Sequence, residues 1–180
     1  MLAGAIVRHE PKQGKGNVIH TMFQDIEAEC YITVDGDDAC SADVAQEMVD
    51  LILNEKIDMV VGDRLSSYFS VNKRPFHNFG NFFLSALIRF LFKSKVNDTI
   101  GGYRAFSRTF VKTFPAISSN FEIEPEMTIY AAVNNLRTAN LPVVYRDRPD
   151  GSVSKLNTFK DGFRILRMIF KLFWYYNFKI

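Results

Sequence analysis

The stretch Cys30-Tyr31-Ile32-Thr33-Val34-Asp35-Gly36-Asp37-Asp38 decides how this chain is read. Its leading residues are apolar or β-branched and read as a buried strand. The strand ends on the acidic cluster Asp35, Asp37 and Asp38. Just beyond, Ser41 can cap a helix that runs to about Glu55, with Asp43 in its first turn. Val44, Met48, Leu51 and Ile52 form the apolar face of that helix. Ile57 to Val61 is a second β-branched strand, with Gly62-Asp63-Arg64 at its end. Toward the N-terminus, Ala3 to Arg8 reads as a strand and Gln13-Gly14-Lys15-Gly16 as a helix-entry turn. Asn17 to Ala28 reads as a helix, with Val18, Met22 and Ile26 at helical spacing. Strands alternating with helices predict an α/β fold with a mostly parallel sheet. Ligands of such sheets bind at the carboxyl ends of the strands. The acidic cluster and Arg64, at two neighbouring strand ends, therefore form one candidate site.

The second half is less regular. Asn97 to Arg108 reads as a turn and a short strand. Pro125 to Asn135 reads as a helix with its proline near the first turn, where proline is tolerated. Leu141 to Tyr145 reads as a strand, and Arg146 to Ser154 as a loop. The 180 residues suffice for one domain with a proper core. The net charge of +2 hides an asymmetry, since residues 1–60 carry 12 acids and 4 bases and the rest 8 acids and 18 bases. That split suggests an acidic site early and an anionic partner later, unless the charges only solvate helix faces. Cys30 and Cys40 make no disulfide framework in a chain of this length. The basic half carries no signature of a nucleic-acid module, so nucleic acid is not an expected partner.

Close carboxylates repel one another unless a cation sits between them. Hard oxygen ligands suit Mg²⁺ or Mn²⁺, which would bridge the phosphates of a nucleotide. A solvated acidic turn is the alternative reading. Arg64 can fork onto phosphate oxygens or form a surface salt bridge. The loop from Arg146 to Lys155 gathers Arg148, Ser154 and Lys155 around Gly151, a set that can grip a phosphate. It is no Walker loop, because GxxxxGK[ST] is absent. Asp98, Glu122, Glu124 and Glu126 are candidate general bases. Residues 76–93 and 159–180 are strongly apolar but carry polar stripes: Asn78, Asn81, Ser85 and Arg89 in the first, Lys160, Arg164, Arg167 and Lys171 in the second. Basic stripes opposed to aromatics describe helices lying in a membrane interface, or else core helices with a solvated face.

Six motifs in order resemble the family 2 glycosyltransferases, and within them the polyprenyl-phosphate hexosyltransferase (dolichol-phosphate mannose synthase-like) branch. They are QGKGN at 13–17, VDGDD at 34–38, VVGDR at 60–64, GYRAFSR at 102–108, FEIEPEMTI at 121–129 and RPDGSVSKLNTFKDG at 148–162. The resemblance implies a GT-A fold, a Rossmann-like α/β sandwich. It implies that residues 1–158 form a partial GT-A domain whose first strand–helix–strand segment is missing. Residues 159–180 would form an amphipathic helix leading toward the membrane. Asp35 and Asp37 match the DxD motif and would hold Mg²⁺ or Mn²⁺ on the donor diphosphate. Ala39 stands where the longer motif carries Gln. Arg64 would lie near the donor, Asp98 at the reaction centre, and Arg148, Ser154 and Lys155 at the acceptor phosphate.

The implied activity is inverting transfer of a hexose from a nucleotide-diphosphate sugar to a polyprenyl phosphate, at the cytoplasmic face of a membrane and without spanning it. Two alternatives remain. The acceptor could be a sugar hydroxyl, with Glu124 or Glu126 as base, or the chain could bind anionic lipid without turnover.

Overall fold

The computed structural model describes residues 4–65, 75–144 and 158–178. Helix α1 (Lys15–Asp25) leads into β1 (Cys30–Thr33). A 3₁₀ turn (Ala42–Val44), with the Ser41 hydroxyl accepting from the Asp43 amide, opens α2 (Ala45–Leu53). Then follow β2 (Met59–Asp63), α3 (Pro75–Phe92), β3 (Arg104–Ser107), α4 (Arg108–Thr113), α5 (Ile123–Val133), β4 (Thr138–Pro142) and α6 (Thr158–Phe178).

The sheet order is β1-β3-β2-β4. β2 and β4 are parallel, from Met59 opposite Thr138 to Asp63 opposite Pro142. β3 is antiparallel to both of its neighbours. Three strands therefore share one direction, and β3 runs back between β1 and β2. The two strand ends expected to be neighbours are separated by that inserted strand.

Alternation along the strands feeds two cores. Met59, Val61 and Phe106 point to one face and pack with Ile19, Phe23, Phe110, Ile123 and Met127. Val60 and Ala105 point to the other and meet Met48 and Ile52 of α2. The first core holds four of the 17 phenylalanines. Phe23 meets Phe106 edge-on at 5.4 Å, and Phe110 stacks on Phe114 at 5.5 Å. A third core joins α3, α5 and α6 through Ile88, Ile129, Ile165 and Ile169. α5 serves two cores at once and is buried almost all round, as a helix without a polar face must be.

Two expected elements differ. Residues 4–10 take no regular structure, and Ile6 is 86% exposed. A strand needs a hydrogen-bonded partner, and none of the described strands pairs with this segment. β4 begins at Thr138 rather than Leu141 because the turn at Asn135, with φ 53, delivers the chain to β2 earlier.

The glycines flanking Lys15 have a packing role. Gly14 has φ 133, a region that favours glycine. A Cβ on Gly16 would lie 2.0 Å from the Ser118 carbonyl oxygen, which is backbone and cannot turn aside. The Asn17 amide donates to the Ser119 carbonyl at 3.2 Å, so this loop is fastened to the start of α1. Gly16→Ala is expected to cost about 3 kcal/mol through overpacking, read as a lower urea midpoint with unchanged m-value.

Candidate active site

The carboxyl ends of β1 and β2 and the loop before β3 converge on two ion-pair clusters. In the first, Arg64 grips Asp98 with two prongs, Nε donating to Oδ2 at 2.7 Å and a terminal nitrogen to Oδ1 at 3.1 Å. The same nitrogen also donates to the Ile100 carbonyl at 3.1 Å. Asp98 is fully buried. Burial by itself would raise its pKa, but the Arg64 guanidinium more than offsets that and holds the carboxyl below its usual range.

The second cluster centres on Lys15. Its ammonium donates to Asp35 Oδ1 at 2.6 Å and to Glu124 Oε1 at 2.5 Å. Burial would lower the Lys15 pKa, but the two carboxylates raise it above its ordinary value. Burial pushes Glu124 up, against the pull of Lys15. Gly101 and Gly102 form the wall between the clusters. A Cβ on Gly102 would fall 2.5 Å from the Lys15 ammonium and 2.6 Å from Asp35 Oδ2, so a larger residue there would displace the ends of those side chains.

Arg104 underlies both clusters and is fully buried. It donates to the Gly101 carbonyl at 2.7 Å, the Thr99 carbonyl at 2.8 Å and the Thr128 hydroxyl at 3.0 Å. Burial lowers its pKa to about 10, which leaves it cationic at neutral pH.

The remaining sequence candidates fall as follows. Asp35 is exposed, and Asp37 is half-buried with Oδ1 accepting from the Ala39 amide at 3.3 Å. Burial pushes the Cys40 thiol up, with smaller contributions from the charges of Arg64, Asp35, Asp37 and Asp98. Both Glu126 oxygens are occupied, by the Ile117 amide at 2.7 Å and the Ser118 amide at 2.8 Å. Glu122 keeps Oε2 buried without a partner among the described residues. Arg148, Ser154 and Lys155 lie outside the described residues. Lys15, Gly102 and Arg104 were not among the sequence candidates. The signal for the first two was a residue of unusual context, a lysine between two glycines and a glycine pair before β3.

Asp35 and Asp37 fit a hard divalent cation. They offer two carboxylates at one strand end, and no group of three metal-ligating side chains forms among the described residues. The other ligand positions would fall to phosphate oxygens and water, the habit of Mg²⁺.

The apolar helices turn aromatics outward. On α3, Leu84, Ser85 and Ile88 face inward, while Phe90 is 82% exposed. Ser85 bonds the Thr99 hydroxyl at 2.9 Å, tying this helix to the Asp98 loop. On α6, Ile165, Ile169 and Leu172 face inward. Phe163, Phe170 and Trp174 are exposed together with Lys160, Arg164, Arg167 and Lys171. The aromatics therefore flank the basic stripe instead of opposing it, because aliphatic residues occupy the core side. No described helix is long and apolar enough to cross a membrane.

The Asp98–Arg64 pair sets an acid limit on stability. The folded pKa of Asp98 lies below its ordinary 3.8. Its stabilising contribution is complete above that value and is lost as pH falls toward the folded pKa. The stability difference between wild type and Asp98→Asn is expected to be constant above about pH 5 and to shrink below about pH 4. Urea unfolding across that range measures it.

Residues 3–114 match the model of glycosyl transferase family 2. Glycosyltransferase AglJ of Haloferax volcanii is 32% identical over 161 residues, 89% of this chain and 53% of AglJ. A dolichyl-phosphate hexose transferase of the same organism is 28% identical over 169 residues, 94% of this chain and 72% of that protein. The chain spans about half the length of several of the curated relatives it matches. Among solved structures, glucosyl-3-phosphoglycerate synthase from Mycobacterium tuberculosis, in complex with Mn²⁺, uridine diphosphate and phosphoglyceric acid, superposes with a TM-score of 0.60. It shares 15% identity, over 93% of this chain and 55% of that one. With the fold of a GT-A glycosyltransferase and a family match over most of its length, the chain belongs to glycosyl transferase family 2.

Proposed function

We propose that this chain takes part in metal-assisted, inverting transfer of a hexose from a nucleotide-diphosphate sugar to a polyprenyl phosphate. The observation that carries the choice of acceptor is the engagement of three of the four candidate bases. Asp98 has both oxygens on Arg64, Glu126 has both on backbone amides, and Glu124 is buried against Lys15. A sugar hydroxyl needs a base to take its proton. A phosphomonoester is already ionised near neutral pH and needs none. Carboxylates engaged in this way suit an acceptor of the second kind.

In this reading Asp35 and Asp37 hold Mg²⁺ or Mn²⁺ on the donor diphosphate. The ion stabilises the departing diphosphate. Asp98 aims Arg64 beside the donor. Arg148, Ser154 and Lys155 grip the acceptor phosphate. The outward aromatic and basic face of α6 rests on the cytoplasmic surface of a membrane, where rings sit at headgroup level and cations meet anionic lipid. The archaeal relative named a dolichyl-phosphate hexose transferase supports the same acceptor class.

Supplying radiolabelled nucleotide sugar with extracted polyprenyl phosphate or with soluble glycans tests the assignment. Label is expected in the lipid fraction, and label in the glycans alone would refute it. The outward face of α6 also favours a second reading, a chain that binds anionic lipid without turnover. Calorimetry separates the two, since that reading requires no heat with UDP- or GDP-sugars and Mn²⁺ alongside binding to anionic liposomes.

A further inference from the structure

We infer that Lys15 is an internal cation that occupies Asp35 until donor and divalent ion arrive, so that it makes metal binding depend on the nucleotide. The inference rests on the metal reading of Asp35 and Asp37 and adds to it. The Lys15 ammonium stands 2.6 Å from Asp35 Oδ1, where a divalent cation bound to that oxygen would meet it. Two cations cannot share one carboxylate oxygen at such distances without strong repulsion. Glu124 holds the ammonium in place. Its side chain is only 5% exposed, and Oε1 lies 2.5 Å from Lys15 Nζ. Gly102 packs beside the pair, its missing Cβ leaving space that the Lys15 ammonium and Asp35 Oδ2 fill.

The arrangement has two consequences. Asp35 is already ion-paired, so free Mn²⁺ must displace an ammonium that Glu124 anchors from behind. A diphosphate brings anionic oxygens that offer the ammonium a new partner, and Asp35 is then released to the metal. Metal and nucleotide thus bind with positive coupling, because each removes a cost that the other would meet alone. Glu124 is a positioning residue in this device, acting through Lys15.

The test is Mn²⁺ binding without nucleotide, followed by the electron paramagnetic resonance signal of free Mn²⁺. Lys15→Met alone would leave the Glu124 carboxylate buried and unpaired, free to misfold the site or to bind metal itself. The double variant Lys15→Met/Glu124→Gln removes ammonium and carboxylate together and is the primary probe, with thermal melting to verify its fold. It is expected to bind Mn²⁺ at least about tenfold more tightly than wild type, a coupling of ordinary size. It should also lose most of the gain that wild type shows when uridine diphosphate is added. Equal Mn²⁺ affinity in the two proteins, or binding by neither, overturns the inference. Asp37→Asn in both backgrounds tests the underlying reading separately. If Mn²⁺ binding ignores that substitution everywhere, the metal lies elsewhere. If binding needs Asp37 yet the double variant gains nothing, the metal reading stands and the role of Lys15 falls.

Discussion

Replacing Asp37 with alanine is expected to slow sugar transfer about a thousandfold. The cation that Asp35 and Asp37 would hold stabilises charge on the departing diphosphate, a contribution of several kcal/mol in such reactions. Losing about 4 kcal/mol of it corresponds to roughly three orders of magnitude in rate. Two carboxylates would be the protein's share of the ligands in the proposed reading, so one substitution would remove half of that share. The control is Asp38→Asn. Asp38 is exposed and has φ 54, a conformation that asparagine tolerates. This variant should transfer sugar at close to the wild-type rate. Rates measured across a Mn²⁺ titration complete the test, since Asp37→Ala should need far more metal for whatever activity remains. Unchanged transfer by Asp37→Ala would end the metal assignment.

Arg104→Met is expected to destabilise the fold by about 4 kcal/mol, because it strands several buried acceptors at once. Methionine nearly fills the volume but donates no hydrogen bond. The carbonyls of Thr99 and Gly101 and the Thr128 hydroxyl lose their donor in a region without solvent. Each buried polar group left unsatisfied costs about 1–3 kcal/mol, and the sum is less than additive because the loop can relax. The two carbonyls belong to the loop that carries Asp98 and the glycine wall. The damage should therefore reach the site, and residual folded protein should bind donor more weakly. Chemical unfolding measures the first effect. A loss below about 1 kcal/mol would mean that the loop is held by other contacts, such as the Ser85–Thr99 bond.

Much of the architecture was legible because its signals are local. The apolar residues of α2 recur with the helical period, and Ser41 caps the 3₁₀ turn that leads into it. The β-branched runs around Ile32 and Val60 became strands. The acidic cluster follows β1 and Arg64 follows β2, as expected of residues at strand ends. Glu126 was less legible. As a carboxylate in a polar motif it looked like a base, yet it ties backbone amides of the preceding loop. Nothing in its neighbours along the chain distinguishes those two roles. α6 shows the same limit from another side. Its basic stripe was visible, but whether aliphatic or aromatic residues turned inward depended on what α3 and α5 offered to pack against.

By itself the sequence determined most of the central helices and strands, the apolar face of α2, and where the carboxylates and arginines with chemical capacity lie. These follow from periods of two and 3.6 residues and from side-chain identity, which are properties of neighbouring positions. Only the tertiary structure decided that β3 runs back between β1 and β2, that Asp98 clamps Arg64, and that Lys15 joins Asp35 to a glutamate 109 residues away. Hydrogen-bond and charge partners of that kind meet through the closure of the whole chain. A buried charge takes the partner that folding brings beside it, and local sequence carries no record of that choice.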